Sequence, residues 1–160
     1  MTDQLAIYLH DHLAGARFAV SLLADLREQK LNPEVAQCAT QLLPEIEQDR
    51  EALEGVAKAI GADAHTLKDI GAWIAQKAGR AKFTISEPLG VFEAVEFLAL
   101  GVQGKMALWN ALEAVRKLDD RLTGLDLAWL LARAREQHAR LESLRVKLAA
   151  DVLPVAEEAR

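Results

Sequence analysis

Apolar residues recur along four long segments of the chain at alternating intervals of four and three positions. Side chains at this interval share one side of an α-helix, so each segment is expected to form an amphipathic helix. The stripe of the first segment runs Leu5, Leu9, His12, Ala16, Ala19, Leu23, Leu26. The pattern predicts helices near residues 3–29, 34–60, 88–118 and 126–152.

Residues that favour helix N-termini stand close to the start of each segment. Prolines at the first helical position strengthen the second and third assignments. A further proline, Pro44, lies inside the second segment, where it removes the backbone hydrogen bond to Thr40, and we expect it to kink that helix. The residues expected to cap the four helices are Thr2, Asn32, Ser86 and Asp126.

The lengths of the connections predict how the helices are arranged. Residues 30–33 and 119–125 are short links, which join antiparallel neighbours. Residues 61–87 are long enough to run the length of a bundle, so the second and third helices should be parallel. This crossover contains "HTLKDIGAWIAQKAG", which is typical of a short amphipathic helix with Trp73 packed inward. The prediction is an all-α protein, a four-helix bundle in a single domain spanning residues 1–160.

Each stripe is apolar except at one or two positions, which on the fourth helix are His138 and Arg145. When the two hairpins are folded about their loops, His12 falls beside Asp49 and His138 falls beside Lys105. We therefore expect His12, Asp49, Lys105 and His138 to form one buried polar layer. His10 is two residues from His12 and points away from it on a helix, so it is expected to face solvent.

Composition and charge narrow the functional classes. The chain is 51% hydrophobic but only 5% aromatic, so Ala and Leu, both strong helix formers, fill the core. A net charge of −5 argues against nucleic-acid binding. The single Cys38 gives no internal disulfide, and no segment resembles a signal peptide or membrane span, so a cytoplasmic location is expected.

Two weaker features have both a structural and a functional interpretation. The small residues Gly101 and Gly104, with Gly15, Ala16 and Ala19 on the first helix, are expected to permit close helix contact. The basic residues of the crossover could touch a membrane surface beside Trp73, but they are too few for stable membrane association. Those basic residues are Lys77, Arg80 and Lys82.

The helix order, the long crossover and the mid-bundle polar layer resemble the ferritin-like superfamily. The segments "YLHDHLAGARFAV", "DREALEGVAKAIG" and "GVQGKMALW" are also similar to stretches of uncharacterised bacterial bundle proteins. Membership would imply a ferritin-like fold over nearly the whole chain. In di-iron members, two helices each supply a Glu and two supply Glu-x-x-His. This sequence contains no Glu-x-x-His or Asp-x-x-His, so no di-iron centre is expected.

Two main functional interpretations remain open at this stage, beside direct acid–base catalysis by the polar layer and a peripheral membrane module that acts through the crossover. In the first, the protein is a non-enzymatic interaction or structural protein without a cofactor, acting as a homodimer or with an unidentified protein partner. The polar layer then fixes helix register, and Lys105 pairs with Asp49. In the alternative, His12, Asp49 and His138 hold a single metal ion, since two histidines and a carboxylate suit iron or zinc.

Overall fold

A computed structural model describes residues 3–61 and 83–154 of the chain. These residues form four long α-helices and no strand, so the predicted all-α, four-helix architecture is confirmed for them. A short 3-10 helix, Asp120–Leu122, precedes the last long helix. The long helices are α1 (Gln4–Glu28), α2 (Pro33–Ala59), α3 (Pro88–Val115) and α4 (Leu127–Val152).

Side-chain caps start three of the four helices. The Asn32 Oδ1 atom accepts a hydrogen bond from the Val35 N–H at 3.1 Å, and Asp126 Oδ1 accepts one from the Trp129 N–H at 3.0 Å. The α1 cap is Asp3, which accepts bonds from two backbone N–H groups, and Thr2 lies outside the described residues. Glu87, and not Ser86, occupies the cap position of α3, and its side chain makes no cap bond.

Two helix boundaries depend on local backbone geometry. The helix α3 ends at Val115, three residues before the predicted limit, because the Leu118 N–H bonds to the Val115 carbonyl at 2.8 Å and tightens the chain into a turn. After α2, Gly61 adopts a φ of 73°, a left-handed conformation that suits glycine and turns the chain out of the helix. The helix α2 continues through Pro44, as predicted for a single second helix.

The helices form two hairpins, α1 with α2 and α3 with α4, and most inter-helix contacts lie within them. Between the hairpins, α1 packs on α3 and α2 packs on α4. Arg121, just beyond α3, bonds to Asp3 at the start of α1 at 2.7 Å, so α1 and α3 are antiparallel. Lys147 near the end of α4 bonds to Glu34 at the start of α2, so α2 and α4 are antiparallel as well. It follows that α2 and α3 run in the same direction, as predicted.

The core between the helices is built mainly from leucine, valine and alanine, with one fully buried tryptophan, Trp109. None of the helices in residues 3–61 and 83–154 is long and apolar enough to cross a membrane. The predicted crossover helix with Trp73, and the basic residues that follow it, fall outside the described residues.

Candidate functional site: a buried charge cluster beside an apolar cavity

A cluster of polar and charged side chains crosses the middle of the bundle. Asp49 on α2 is 2% exposed and accepts a hydrogen bond from the Lys105 Nζ on α3 at 2.5 Å. Two α4 residues complete the arrangement: Arg133 also bonds to the Asp49 carboxylate, and the Gln137 Nε2 donates to it at 3.2 Å. We call Asp49, Lys105, Arg133 and Gln137 the buried charge cluster. It joins three helices through one carboxylate.

A second set of contacts extends the cluster toward the surface between α2 and α4. Gln137 is fully buried, and its Nε2 also donates to Glu45 at 3.1 Å. Arg140 donates to the same Glu45 carboxylate at 2.5 Å. Arg133 donates to Gln48 at 2.8 Å, and its guanidinium lies 4.0 Å from the ring centre of Trp129. The α2–α4 contact is therefore largely polar at this height.

The ionisation of Lys105 is affected by its surroundings in two opposing ways. Burial lowers the pKa of the Lys105 ammonium below its ordinary value of 10.5, because the charged form loses hydration, and the Asp49 carboxylate acts in the opposite direction. Its Nζ also donates to the Gln137 Oε1 at 2.5 Å. Inside the apolar bundle, the Lys105 ammonium is therefore paired with one carboxylate, that of Asp49, and hydrogen-bonded to one amide oxygen, that of Gln137.

A cavity of about 250 Å³ adjoins the cluster between α1, α2 and α3. Asp49 and Lys105 form part of its wall, and Asp11, His12 and Arg50 contribute further polar groups to the lining. Most of the remaining lining is apolar, including Leu23, Leu42, Ile46, Leu53, Phe97, Leu98, Val102, Leu108 and Trp109. The cavity therefore combines an apolar body with one charged wall.

Small residues create this space. Gly15 on α1 and Gly101 and Gly104 on α3 all line the cavity, and a Cβ atom added at any of them meets no described atom within 4 Å. Among the described residues, these glycines do not make the close helix contact that the sequence pattern predicts. They leave a gap between α1 and α3 because no larger side chain from the described residues fills the space.

His12 lies at this cavity and not in the cluster. Its ring is half-buried, and it packs edge-on against Tyr8 with the ring centres 4.7 Å apart. Within residues 3–61 and 83–154 the ring makes no hydrogen bond, so the expected bond to Asp49 is absent. Burial lowers the pKa of His12 below its ordinary value of 6.5, against an opposing effect of the neighbouring Asp11 carboxylate.

The other two histidines singled out by the sequence are placed differently from expectation. His138 is half-buried in a groove on the α3–α4 side, with Glu96, Glu142 and Arg145, and does not join the layer. Gln137, its neighbour, takes that place. His10 was expected to face solvent but is 1% exposed, and neither of its ring nitrogens has a hydrogen-bond partner in residues 3–61 or 83–154. The apolar face of α1 is wider than the predicted stripe, because Leu13, Ala14 and Leu22 are buried too.

The structure does not bring together the three residues of the alternative metal site. Asp49 belongs to the cluster and lines the cavity together with His12, but His138 lies in the separate groove. No group of three His, Cys, Asp or Glu side chains within the described part of the chain is arranged to hold a metal ion. The Asp49 carboxylate is already engaged by Lys105, Arg133 and Gln137.

Arg133 and Gln137 were not among the residues predicted for the polar layer, although the pattern of α4 contains a signal for them. The predicted stripe on α4 included both His138 and Arg145 among apolar residues. A second stripe is also possible, in which every other member of the predicted stripe is kept and each member between them is replaced by the residue before it. Gln137 is the only polar residue of this second stripe. That second series reads Leu127, Leu130, Ala134, Gln137, Leu141, Leu144, Leu148, and all seven residues are buried. Arg133, one turn before Gln137, then lies beside it.

Comparison of the chain with protein-family models, with curated protein sequences and with solved structures finds no match. The interpretation of the site therefore depends on its own geometry and chemistry.

Proposed function

We propose that this protein acts by binding and not by catalysis, as a ferritin-like helical bundle without a di-iron centre that holds a small, largely apolar molecule. The observation that carries the proposal is the cavity between α1, α2 and α3, which is lined mainly by apolar side chains. Binding sites for small molecules in proteins are concave, mostly apolar and marked by a few polar groups. The cavity meets that description.

The size of the cavity sets the size of its ligand. An engineered cavity of about 150 Å³ accommodates benzene, so a cavity of about 250 Å³ suits a molecule of roughly ten non-hydrogen atoms. The helix directions and the long link between α2 and α3 support the ferritin-like assignment. The engagement of Asp49 with Lys105 and Arg133 supports a role without a metal.

The test fills the cavity with a side chain and measures binding of a neutral apolar probe. Wild-type protein is titrated with 1-octanol by isothermal titration calorimetry, and saturable binding is expected. Gly104→Leu places a side chain in the cavity and should abolish that binding. Gly55→Leu is the matched control, because Gly55 is also inside a helix with open space at its Cβ but does not line the cavity.

Both glycine replacements should leave the protein folded. Glycine inside a helix costs roughly 0.5–1 kcal/mol relative to alanine, so a larger residue in open space is tolerated. Absence of saturable binding to wild-type protein, or equal binding by Gly104→Leu and Gly55→Leu, would contradict the proposal.

A second candidate function is self-association through the outer face of the α3–α4 hairpin. Leu100 is 61% exposed and Val146 is 56% exposed, and both are large apolar side chains. Leu89, on α3 about three helical turns from Leu100, and Leu153, which follows α4 about two turns beyond Val146, are also exposed. Sedimentation equilibrium tests this: a homodimer through this face should dissociate in Leu100→Glu/Val146→Glu and persist in Leu31→Glu, which alters an exposed leucine outside both helices.

A further inference from the structure

We infer that the cavity's ligand is an amphipathic monocarboxylate whose head group is received by Lys105 at the charged wall. The inference rests on the proposed binding function and adds the chemical class of the ligand. Three observations carry it: the hydrogen-bonding capacity of Lys105, the charge of the cluster, and the position of His12.

The first observation concerns the donors of Lys105. A lysine ammonium carries three N–H donors, and Lys105 uses two of them, one toward Asp49 Oδ2 and one toward Gln137 Oε1, both at 2.5 Å. The third has no partner among the described residues, and Lys105 lines the cavity. Since buried polar groups in proteins are hydrogen-bonded, an acceptor oxygen of the ligand suits this position.

The second observation is the balance of charge around the cluster. Its cations are Lys105 and Arg133 and its carboxylate is Asp49, so two positive charges face one negative charge. Arg140 and Glu45 beside the cluster pair with each other and do not change this balance. A buried charge is stable when it is paired, and an anionic head group beside Lys105 would supply the missing charge.

The other charged groups lining the cavity do not compete for that role. Arg50 is paired with Glu54 at 2.8 Å, and Glu54 is bonded by Arg17 as well. Asp11 is exposed to solvent. The apolar part of the ligand therefore lies among the leucines of the cavity, and its carboxylate lies at the wall formed by Lys105.

The third observation is His12, whose half-buried ring lines the same cavity without a hydrogen bond to any described residue. A neutral imidazole has one N–H donor and one acceptor nitrogen. His12 can therefore donate a second hydrogen bond to an oxygen-bearing ligand. No hydrocarbon or halogenated ligand would use either donor.

The experiment compares octanoate with 1-octanol, two probes of nearly equal size that differ in their head group. Isothermal titration calorimetry at neutral pH should show octanoate binding at least ten-fold more tightly than 1-octanol to the full chain. In Lys105→Met the preference should be lost, so that octanoate and 1-octanol bind with about equal affinity. Lys147→Met is the matched control, because Lys147 also pairs with a carboxylate, Glu34, but is exposed and far along α4 from the cavity. It should keep the wild-type preference.

A second measurement decides the matter even when Lys105→Met does not fold. The carboxyl carbon of ¹³C-labelled octanoate is followed by NMR during a pH titration of the wild-type complex. A carboxylate paired with Lys105 should ionise at a lower pH than free octanoate, because the neighbouring ammonium favours its charged form. A midpoint equal to or above that of free octanoate would overturn the inference.

The outcomes separate this inference from the proposed function. Equal affinities for octanoate and 1-octanol in wild-type protein would overturn the carboxylate assignment and leave apolar binding intact. Failure of both probes to bind would overturn both.

Discussion

At the scale of single residues, Gly90 is the position where the fold depends most directly on a missing side chain. It is buried in the first turn of α3, and a Cβ atom there would lie 2.1 Å from the Thr84 carbonyl oxygen. That oxygen accepts a hydrogen bond from the Glu87 N–H at 2.9 Å, so it belongs to the turn that leads into the helix. The backbone before α3 can pack this closely only against a glycine.

Gly90→Ala should therefore lower the free energy of unfolding by about 1–3 kcal/mol, the usual cost of forcing extra atoms into a packed site. Urea denaturation followed by circular dichroism measures the change. Gly55→Ala is the control, since its Cβ meets open space and it should be slightly stabilising. A Gly90→Ala protein as stable as wild type would show that the Thr84 backbone moves freely.

His12 gives a prediction about pH. Because burial lowers its pKa in the folded state, the unfolded chain binds a proton more readily than the folded protein does. The contribution of His12 to stability is therefore complete above its ordinary pKa of 6.5 and is lost as the pH falls from there toward the lower folded-state value. His12→Gln should show a smaller loss of stability on acidification below pH 6.5 than wild type, measured by urea denaturation across that range. An equal loss of stability on acidification in both proteins would show that His12 is not its cause.

The histidines also show what a sequence pattern leaves undecided. Asp49 and Lys105 were predicted correctly as inward residues, because each interrupts a stripe whose other members are all apolar. His10 and His12 differ by only two positions, and a helix face wide enough to bury Leu9 and Leu13 has room for either. The choice depends on the neighbouring helices, which periodicity within one segment does not describe.

At the scale of elements, α2 shows how a helix accommodates an internal proline. Pro44 has no N–H to offer the Thr40 carbonyl, yet the helix continues from Pro33 to Ala59. Both residues are exposed, so water can satisfy that carbonyl. The missing hydrogen bond therefore lies on the exposed side of α2. The buried side, which carries Leu42, Leu43 and Ile46, is not disturbed.

Pro44→Ala should restore the missing backbone bond and raise the free energy of unfolding by about 1–3 kcal/mol, somewhat less than the full cost of an internal proline. Thermal and urea denaturation measure the effect. Gln41→Ala, another exposed position on the same helix, is the control and should change stability by less than about 0.5 kcal/mol. A destabilised Pro44→Ala would indicate that the packing of α2 requires the conformation that the proline imposes.

The helix pattern predicted the four elements and their directions, but not the rotation of α4 about its axis. Leu127, Ala134, Leu141 and Leu148 belong to both stripes that the sequence allows, and only the intervening positions distinguish them. The structure buries Leu130, Gln137 and Leu144, which gives α4 one polar residue inside where the other stripe would give two. The cavity was not predictable in this way, because a gap between helices depends on which small residues face one another across a contact.

At the scale of the whole molecule, the buried charge cluster is the feature that links α2, α3 and α4. Asp49 is the shared acceptor, so its removal leaves two buried cations, Lys105 and Arg133, without their carboxylate. Asp49→Leu should lower the free energy of unfolding by about 3–5 kcal/mol. Glu34→Gln, which breaks the exposed pair with Lys147, should cost no more than about 1 kcal/mol.

Replacing all four cluster residues by apolar ones should be much milder than Asp49→Leu alone. In Asp49→Leu/Lys105→Met/Arg133→Met/Gln137→Leu no buried charge is left unpaired, and apolar packing stabilises such layers as well as ion pairs do. Urea denaturation compares the two variants directly. A fourfold variant less stable than Asp49→Leu would mean that the cluster contributes net stability beyond satisfying its own charges.

The division of the bundle into two hairpins has a consequence for the order in which it assembles. Contacts inside a hairpin join residues at most about 50 positions apart, as in the bond between Glu96 and Arg145 at 49 positions. The bonds between the hairpins include Asp3 with Arg121, which are 118 positions apart, and Glu34 with Lys147, which are 113 positions apart. Closing the longer loop costs more chain entropy, so the hairpins should form early and meet late. The surfaces that meet last include the walls of the cavity. In native-state hydrogen exchange the facing amides of α1 and α3 would then open before global unfolding, and a ligand could enter through these brief separations of the two hairpins.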